Sequence, residues 1–295
     1  MVRQGSMTLS FPPFTFAVKW LIIINTIVFL FMLLLGALTP HAAALVTEAT
    51  ALVPDLVVAH GWVWQLVTYS FQHVDLFHIL FNMLTLWMFG AQLELTWKHR
   101  QFLEFYFFCV ITAALTTVAV AYLGTISSLG FLGISPETMT LGASGGIYGV
   151  MTAFALLFGN MEFMLFPLPV SIRAKYLVAI LIFISLVGAL RGMGTAHRGE
   201  SVAYFAHLGG AFFGWIYLRF IPRRGLRFAT SEGYFGFRNR YIKWKRRRAA
   251  KKFEVYMRKQ NQPTNYGEYF DEFGNYRDPN AKKKDNGEGG GPWVN

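Results

Sequence analysis

Ser144 stands in the run Gly142-Ala143-Ser144-Gly145-Gly146 at the start of one apolar stretch, His207 lies within a second, and His78 and Asn82 lie within a third. Hydrocarbon cannot hydrate such groups, so polar side chains at these positions face a bundle interior or a wet cavity and mark function. A hydroxyl, an imidazole and two further polar side chains make up the set needed for acyl transfer: a nucleophile, its general base, and donors for a developing oxyanion.

The elements that must position them are transmembrane helices. With 54% hydrophobic, 17% aromatic and only 15% charged residues, the chain is poor material for an ordinary soluble domain. Its apolar runs predict six spans, over residues 20–38, 76–95, 102–123, 144–158, 176–190 and 203–221. About 20 residues cross a hydrocarbon core, and the fourth and fifth runs supply fewer. Their boundaries are open: the fourth can continue past Asn160 to Phe166, and the fifth can start earlier if Arg173 and Lys175 snorkel. The first run is long enough to span and lacks a cleavage site of the usual spacing, so it reads as a helix and not as a cleaved signal.

Lys and Arg set the orientation. They occur in segments 1–19, 96–101, 159–175 and the tail, whereas segments 39–75 and 124–143 have none and 191–202 has only Arg191 and Arg198. The positive-inside rule then places both termini in the cytoplasm. His78, Ser144 and His207 each fall near the outer end of a span, within roughly 10 Å of one hydrocarbon boundary at about 1.5 Å per residue. His78 and Asn82 share a helix face at i,i+4, as do Ser144 and Tyr148. Gly145 and Gly149 form a GxxxG pair, and His207, Gly210, Ala211 and Gly214 form a stripe on the sixth span. Small stripes let two helices approach closely enough for a Ser144–His207 hydrogen bond.

The stretch from Trp64 through Thr68, Phe71, His73, His78 and Asn82 to Gly90 and Glu94, then Gly142-Ala143-Ser144-Gly145 with Tyr148, then Ala206-His207-Leu208-Gly209-Gly210 with Gly214, resembles the rhomboid intramembrane serine proteases. Each motif alone is weak; their order and their placement on three spans are jointly specific. The resemblance implies an all-α, six-helix bundle with a short N-terminus (1–19), a catalytic domain (20–221) and a tail (222–295). It implies Ser144 as nucleophile, His207 as general base, and His78 and Asn82 with the Ser144 backbone N–H as oxyanion donors. Tyr148 would pack against His207, and Glu94 would be a structural carboxylate. The substrates implied are single-span membrane proteins cut near the outer boundary of a cell membrane, with no cofactor. The family's frequent Trp-Arg pair reads Trp64-Gln65 here.

Other residues read more plainly. His73, His78 and His207 make a poor metal site, since no carboxylate shares their depth and helical i,i+5 spacing turns His73 and His78 apart, so no metal is expected. Cys109 is the sole cysteine, which rules out an intrachain disulfide, and it reads as a small core residue. Glu104, Glu162 and Glu200 read as solvated or snorkelling near span ends. Trp62, Trp64, Tyr69 and Phe71 give the first outer loop an interfacial character. Residues 222–295 hold 18 Lys and Arg against 8 Asp and Glu, nearly all of the chain's net +11. A helix-compatible stretch runs to about Lys259 and a disorder-like composition follows, which favours anionic lipids over nucleic acid as the tail's partner. A catalytically silent binder of transmembrane clients is the alternative from another functional class; a transporter lacks its inverted repeats.

Overall fold

The protein divides into two units, Met1–Leu226 and Arg227–Asn295. The computed structural model describes residues 12–125, 135–164, 171–192 and 198–220 of the first, and Trp244, Lys245 and Arg248 of the second, where the Arg248 guanidinium lies 5.1 Å from the Trp244 ring centroid. The rest of the tail, residues 126–134 and the Glu200 side chain lie outside the described residues.

Twenty-three residues with Lys19 as their one charge form α1 (Phe16–Leu38). Ile27, Leu30, Phe31, Leu33 and Leu34 are exposed along it, an apolar surface that suits lipid and not water. Glu94 secures its start, accepting from the Ala17 N–H (2.7 Å), the Val18 N–H (3.0 Å) and the Thr15 hydroxyl (2.5 Å). These are amides that a helix N-terminus leaves without intrahelical acceptors, and the carboxylate also opposes the positive end of the dipole.

Three short helices follow, α2 (Pro40–Thr50), α3 (Pro54–Ala59) and α4 (Gln65–Thr68), then a 3-10 turn at Tyr69–Phe71. The last carbonyls of α2 have no partner within their own helix, and side chains of α4 and of Trp64 just before it supply partners for Glu48, Ala49 and Thr50. Trp64 Nε1 donates to Ala49 O (2.9 Å), Gln65 Nε2 to Glu48 O (2.8 Å) and Thr68 Oγ1 to Thr50 O (2.7 Å), while Gln72 Nε2 donates to Thr50 Oγ1. Gln65 is fully buried, and its Oε1 also accepts from the Val53 N–H at 3.0 Å. Arginine has no acceptor, so the glutamine in the Trp64-Gln65 pair anchors this loop with a two-sided bond that the family's arginine cannot make.

α5 (Leu76–Leu123) is helical on both sides of Lys98, whose backbone (φ 68, ψ 162) is not. The chain folds back at this residue. A Cβ on Gly90 would lie 3.1 Å from Phe102, and Trp97 meets Phe105 at 5.1 Å, although a straight helix would hold residues 90 and 102 about 18 Å apart. The loop expected over 96–101 is therefore a single non-helical residue between two apolar helices.

α6 (Ser144–Phe158) is central and short. Its bounds coincide with the apolar run read over 144–158, and the longer alternative to Phe166 is not taken: the helix stops at Phe158, and β1 (Glu162–Met164) pairs antiparallel with β2 (Ser171–Arg173), with Glu162 opposite Arg173. This hairpin is the departure from an all-α fold. The backbone N–H of Ala174 then donates to Met161 O (2.8 Å) as α7 (Ala174–Gly192) begins two residues before the expected span. α8 (Arg198–Phe220) also starts early, five residues before the expected span, which puts His207 nine residues into the helix. Among the described residues, three helices are long and apolar enough to cross a membrane, Phe16–Leu38, Leu76–Leu123 and Ala174–Arg191.

Glycine lets α6 touch its neighbours. A Cβ on Gly145 would sit 2.7 Å from Ala113, one on Gly146 would strike Val110, and one on Gly149 would strike Cys109, all on the second half of α5. Toward α8, a Cβ on Gly210 would run into the Gly145 carbonyl and one on Gly214 would lie 2.9 Å from Gly149 Cα. The two backbones are in direct contact, as the small stripes required. Cys109 is a buried free thiol filling the notch beside Gly149. Glu104 is half-buried and accepts from the buried Tyr217 hydroxyl at 3.0 Å. Glu162 is exposed, 3.7 Å from Arg173.

Candidate active site

Ser144 is the first residue of α6, and three anchors hold the turn that delivers it. Leu52 and Thr140 exchange backbone hydrogen bonds of 2.9 Å, the Gly142 N–H donates to Tyr69 O at 3.0 Å, and Tyr69 OH donates to Val110 O at 2.8 Å. Tyr69 is 1% exposed, so this ring is a core pillar beneath the turn and not the interfacial residue its sequence context suggests. Gly142 has φ +124, a backbone geometry L-residues rarely adopt, and a Cβ there would also lie 2.8 Å from His78 Nε2. Glycine is thus required twice at this position, for the dihedral and for the imidazole beside it.

The contact between α6 and α8 brings His207 Nε2 to 2.7 Å from Ser144 Oγ. The Tyr148 ring, one turn beyond Ser144, stacks on the His207 imidazole with centroids 4.2 Å apart and planes 6° from parallel. Stacking fixes the plane of the imidazole while leaving its edge nitrogens free to hydrogen-bond. On the far edge, His207 Nδ1 lies 3.4 Å from Ser185 Oγ, and Ser185 Oγ lies 2.8 Å from Tyr148 OH. Ser185 belongs to α7, is 1% exposed, and was not singled out from the sequence.

Asp75 caps α5 by accepting from the His78 N–H (2.9 Å), which fixes where the helix starts and how His78 is presented. The Val74 N–H donates to His78 Nδ1 at 3.4 Å, so the ring proton resides on Nε2, the atom that faces Gly142. Asn82 follows one turn later, buried, and its Nδ2 has no protein partner among the described residues. No hydrogen bond joins Asn82 directly to Ser144 or His207.

His73 corrects a second expectation. It precedes α5, so helical spacing does not apply, and its ring meets that of His78 edge-on with centroids 5.0 Å apart. Burial pushes the His73 imidazole down to about 4, with His78 adding to the effect, so the neighbour of His78 is uncharged at neutral pH. Of the sequence-identified residues, Ser144, His207, Tyr148, His78 and Gly142 converge. Gly145, Gly210 and Gly214 serve the helix contact behind them, and Glu94 acts at the start of α1.

A family model described as the Rhomboid domain matches residues 60–224. The chain is 30% identical over 156 residues to Rhomboid protein 1, mitochondrial, of Saccharomyces cerevisiae, which covers 52% of this chain and 40% of that protein. It is 24% identical over 201 residues to Rhomboid-like protein 19 of Arabidopsis thaliana (65% and 59%) and 25% identical over 162 residues to Rhomboid-related protein 1 of Caenorhabditis elegans (54% and 41%). The matched region thus spans about half the length of each relative. The domain match runs from the loop that braces the Ser144 turn through the helix that carries His207 and covers more than half of the chain, which belongs to the rhomboid family.

Proposed function

We propose that the protein is an intramembrane serine endopeptidase in which Ser144 attacks a peptide carbonyl and His207 accepts its proton. The observation that carries this is the 2.7 Å approach of His207 Nε2 to Ser144 Oγ, between two helices whose backbones touch. The Ser144 Oγ proton passes to Nε2 as the Oγ–C bond forms, the imidazolium returns it to the leaving amine as the C–N bond breaks, and water activated by His207 then hydrolyses the Ser144 ester and restores both side chains. Charge developing on the former carbonyl oxygen meets His78 Nε2–H, the Asn82 amide and the first N–H of α6, whose positive dipole end points the same way.

Six spans follow from reading the halves of α5 on either side of Lys98 as two crossings and adding α6 and α8. α6 has 15 residues and is about 22 Å long, less than a hydrocarbon core of about 30 Å. Ser144 therefore lies beneath the outer surface, in a site that must admit water. A regular helix hides its carbonyls, so the substrates are single-span proteins whose helix unwinds near that boundary. Loop charge supports an orientation with both termini in the cytoplasm, and the basic tail suits anionic lipids of the same leaflet. The silent client-binding reading has no use for a serine and histidine at hydrogen-bond distance.

Labelling with a fluorophosphonate tests the assignment. The wild type takes up the probe at Ser144, a membrane-impermeant version reaches it from the outer side of sealed cells, and His207→Ala labels far more slowly. Equal labelling of Ser144→Ala and wild type contradicts the assignment, and labelling from the cytoplasmic side alone contradicts the orientation.

A further inference from the structure

We infer that Ser185, on α7, is the positioning residue that sets the tautomer of His207; the inference rests on the reading of Ser144 and His207 as nucleophile and base. A serine or threonine within an apolar helix ordinarily donates to the carbonyl four residues back. Thr112, Thr116, Thr117 and Thr152 all do so in this bundle. Ser185 does not. The carbonyl four residues before it, Leu181 O, instead accepts from Tyr148 OH at 3.4 Å, and the Ser185 hydroxyl is turned toward Tyr148 and His207.

The 3.4 Å contact of Tyr148 OH with Leu181 O, taken as a hydrogen bond, sets the direction of the others. A carbonyl only accepts, so the single phenolic proton of Tyr148 goes to Leu181 O. The 2.8 Å contact between Tyr148 OH and Ser185 Oγ then requires Ser185 to donate its own single proton. Toward His207 Nδ1, Ser185 has only lone pairs left, so Nδ1 carries the ring proton and donates it. The Nε2 lone pair is thereby turned to Ser144 Oγ, the state in which the imidazole can take the serine proton. When it does, the Nδ1–H stays in place and its bond to Ser185 Oγ becomes charge-assisted, which favours the transition state over the ground state. A hydroxyl wedged between base and stacking ring thus does the orienting work that a carboxylate does in a three-residue triad.

The test uses the full-length protein in liposomes with a single-span model substrate, comparing wild type, Ser185→Ala and Tyr148→Phe. Ser185→Ala is expected to lower kcat about fivefold to tenfold with little change in KM, the loss expected for one neutral hydrogen bond that strengthens in the transition state. Its acid limb is expected to move to lower pH, because the imidazolium loses an acceptor more than neutral imidazole does. Tyr148→Phe keeps the stacked ring, frees Leu181 O for a back-bond from Ser185, and is expected to move the limb the same way. A purely structural serine would alter melting temperature and leave the limb in place. Nitrogen-15 NMR of histidine-labelled protein supplies a readout independent of cleavage: His207 is the Nδ1–H tautomer in the wild type and a mixture in Ser185→Ala. A wild-type kcat, acid limb and tautomer in Ser185→Ala overturn the role of Ser185. Absence of cleavage by the wild type with the tautomer shift present overturns the protease reading and leaves the hydrogen-bond assignment standing.

Discussion

Asn82 is buried with its Nδ2 unpartnered among the described residues, and His78 turns Nε2–H toward the Ser144 turn because Val74 occupies its other nitrogen. A buried donor without an acceptor costs stability, roughly 1–3 kcal/mol, unless a ligand or water uses it. Both donors suit an oxyanion that exists only during turnover. Removing one oxyanion donor typically costs about 10² to 10³ in turnover. His78→Ala and Asn82→Ala are each expected to lower kcat more than they raise KM, and the double variant should be nearly inactive while remaining inserted and folded. Steady-state kinetics on a single-span substrate checks this, and a double variant with wild-type kcat would reduce both residues to packing. At this scale the sequence was informative where a polar group stood alone in hydrocarbon. It was silent on Ser185, because a lone helical serine defaults to a back-bond, and it misled for Tyr69, because an aromatic residue in a loop between apolar runs defaults to the interface. Both defaults were overridden by partners more than thirty residues away or on another helix, Tyr148 in the first case and Val110 in the second.

The helix contact that closes the site depends on missing side chains. Gly210 faces the Gly145 carbonyl so closely that any Cβ must push α8 away from α6, and His207 rides on the displaced helix. Gly210→Leu is expected to cost about 1–3 kcal/mol or more through overpacking and to reduce activity in parallel. Thermal melting alongside cleavage measures both, and a variant with wild-type values of each would mean that the two helices are not in contact at this point. The long helices themselves were legible as apolar runs, and the start of α6 at Ser144 agrees with its predicted position. The ends of α7 and α8 were not, because the hydrophobic run and the hydrogen-bonded helix are different things: α8 continues from Arg198 through charged and small residues that no apolar window includes. The hairpin between α6 and α7 was also missed, since three-residue strands leave almost no periodicity to read.

Across the first unit, side chains close helix ends whose backbone groups would otherwise lack partners. Glu94 closes the start of α1, α4 closes the end of α2, and Asp75 closes the start of α5. These helices pack around α6, a short helix whose first residue is the candidate nucleophile. The central claim is that this residue cuts peptide bonds, and the direct measurement is proteolysis by the purified protein in liposomes containing a single-span substrate, with product mass spectrometry to locate the cut. The account predicts a single cleavage near the outer membrane boundary by the wild type, and none by Ser144→Ala of equal folded yield. Cleavage at the same bond by Ser144→Ala would contradict it.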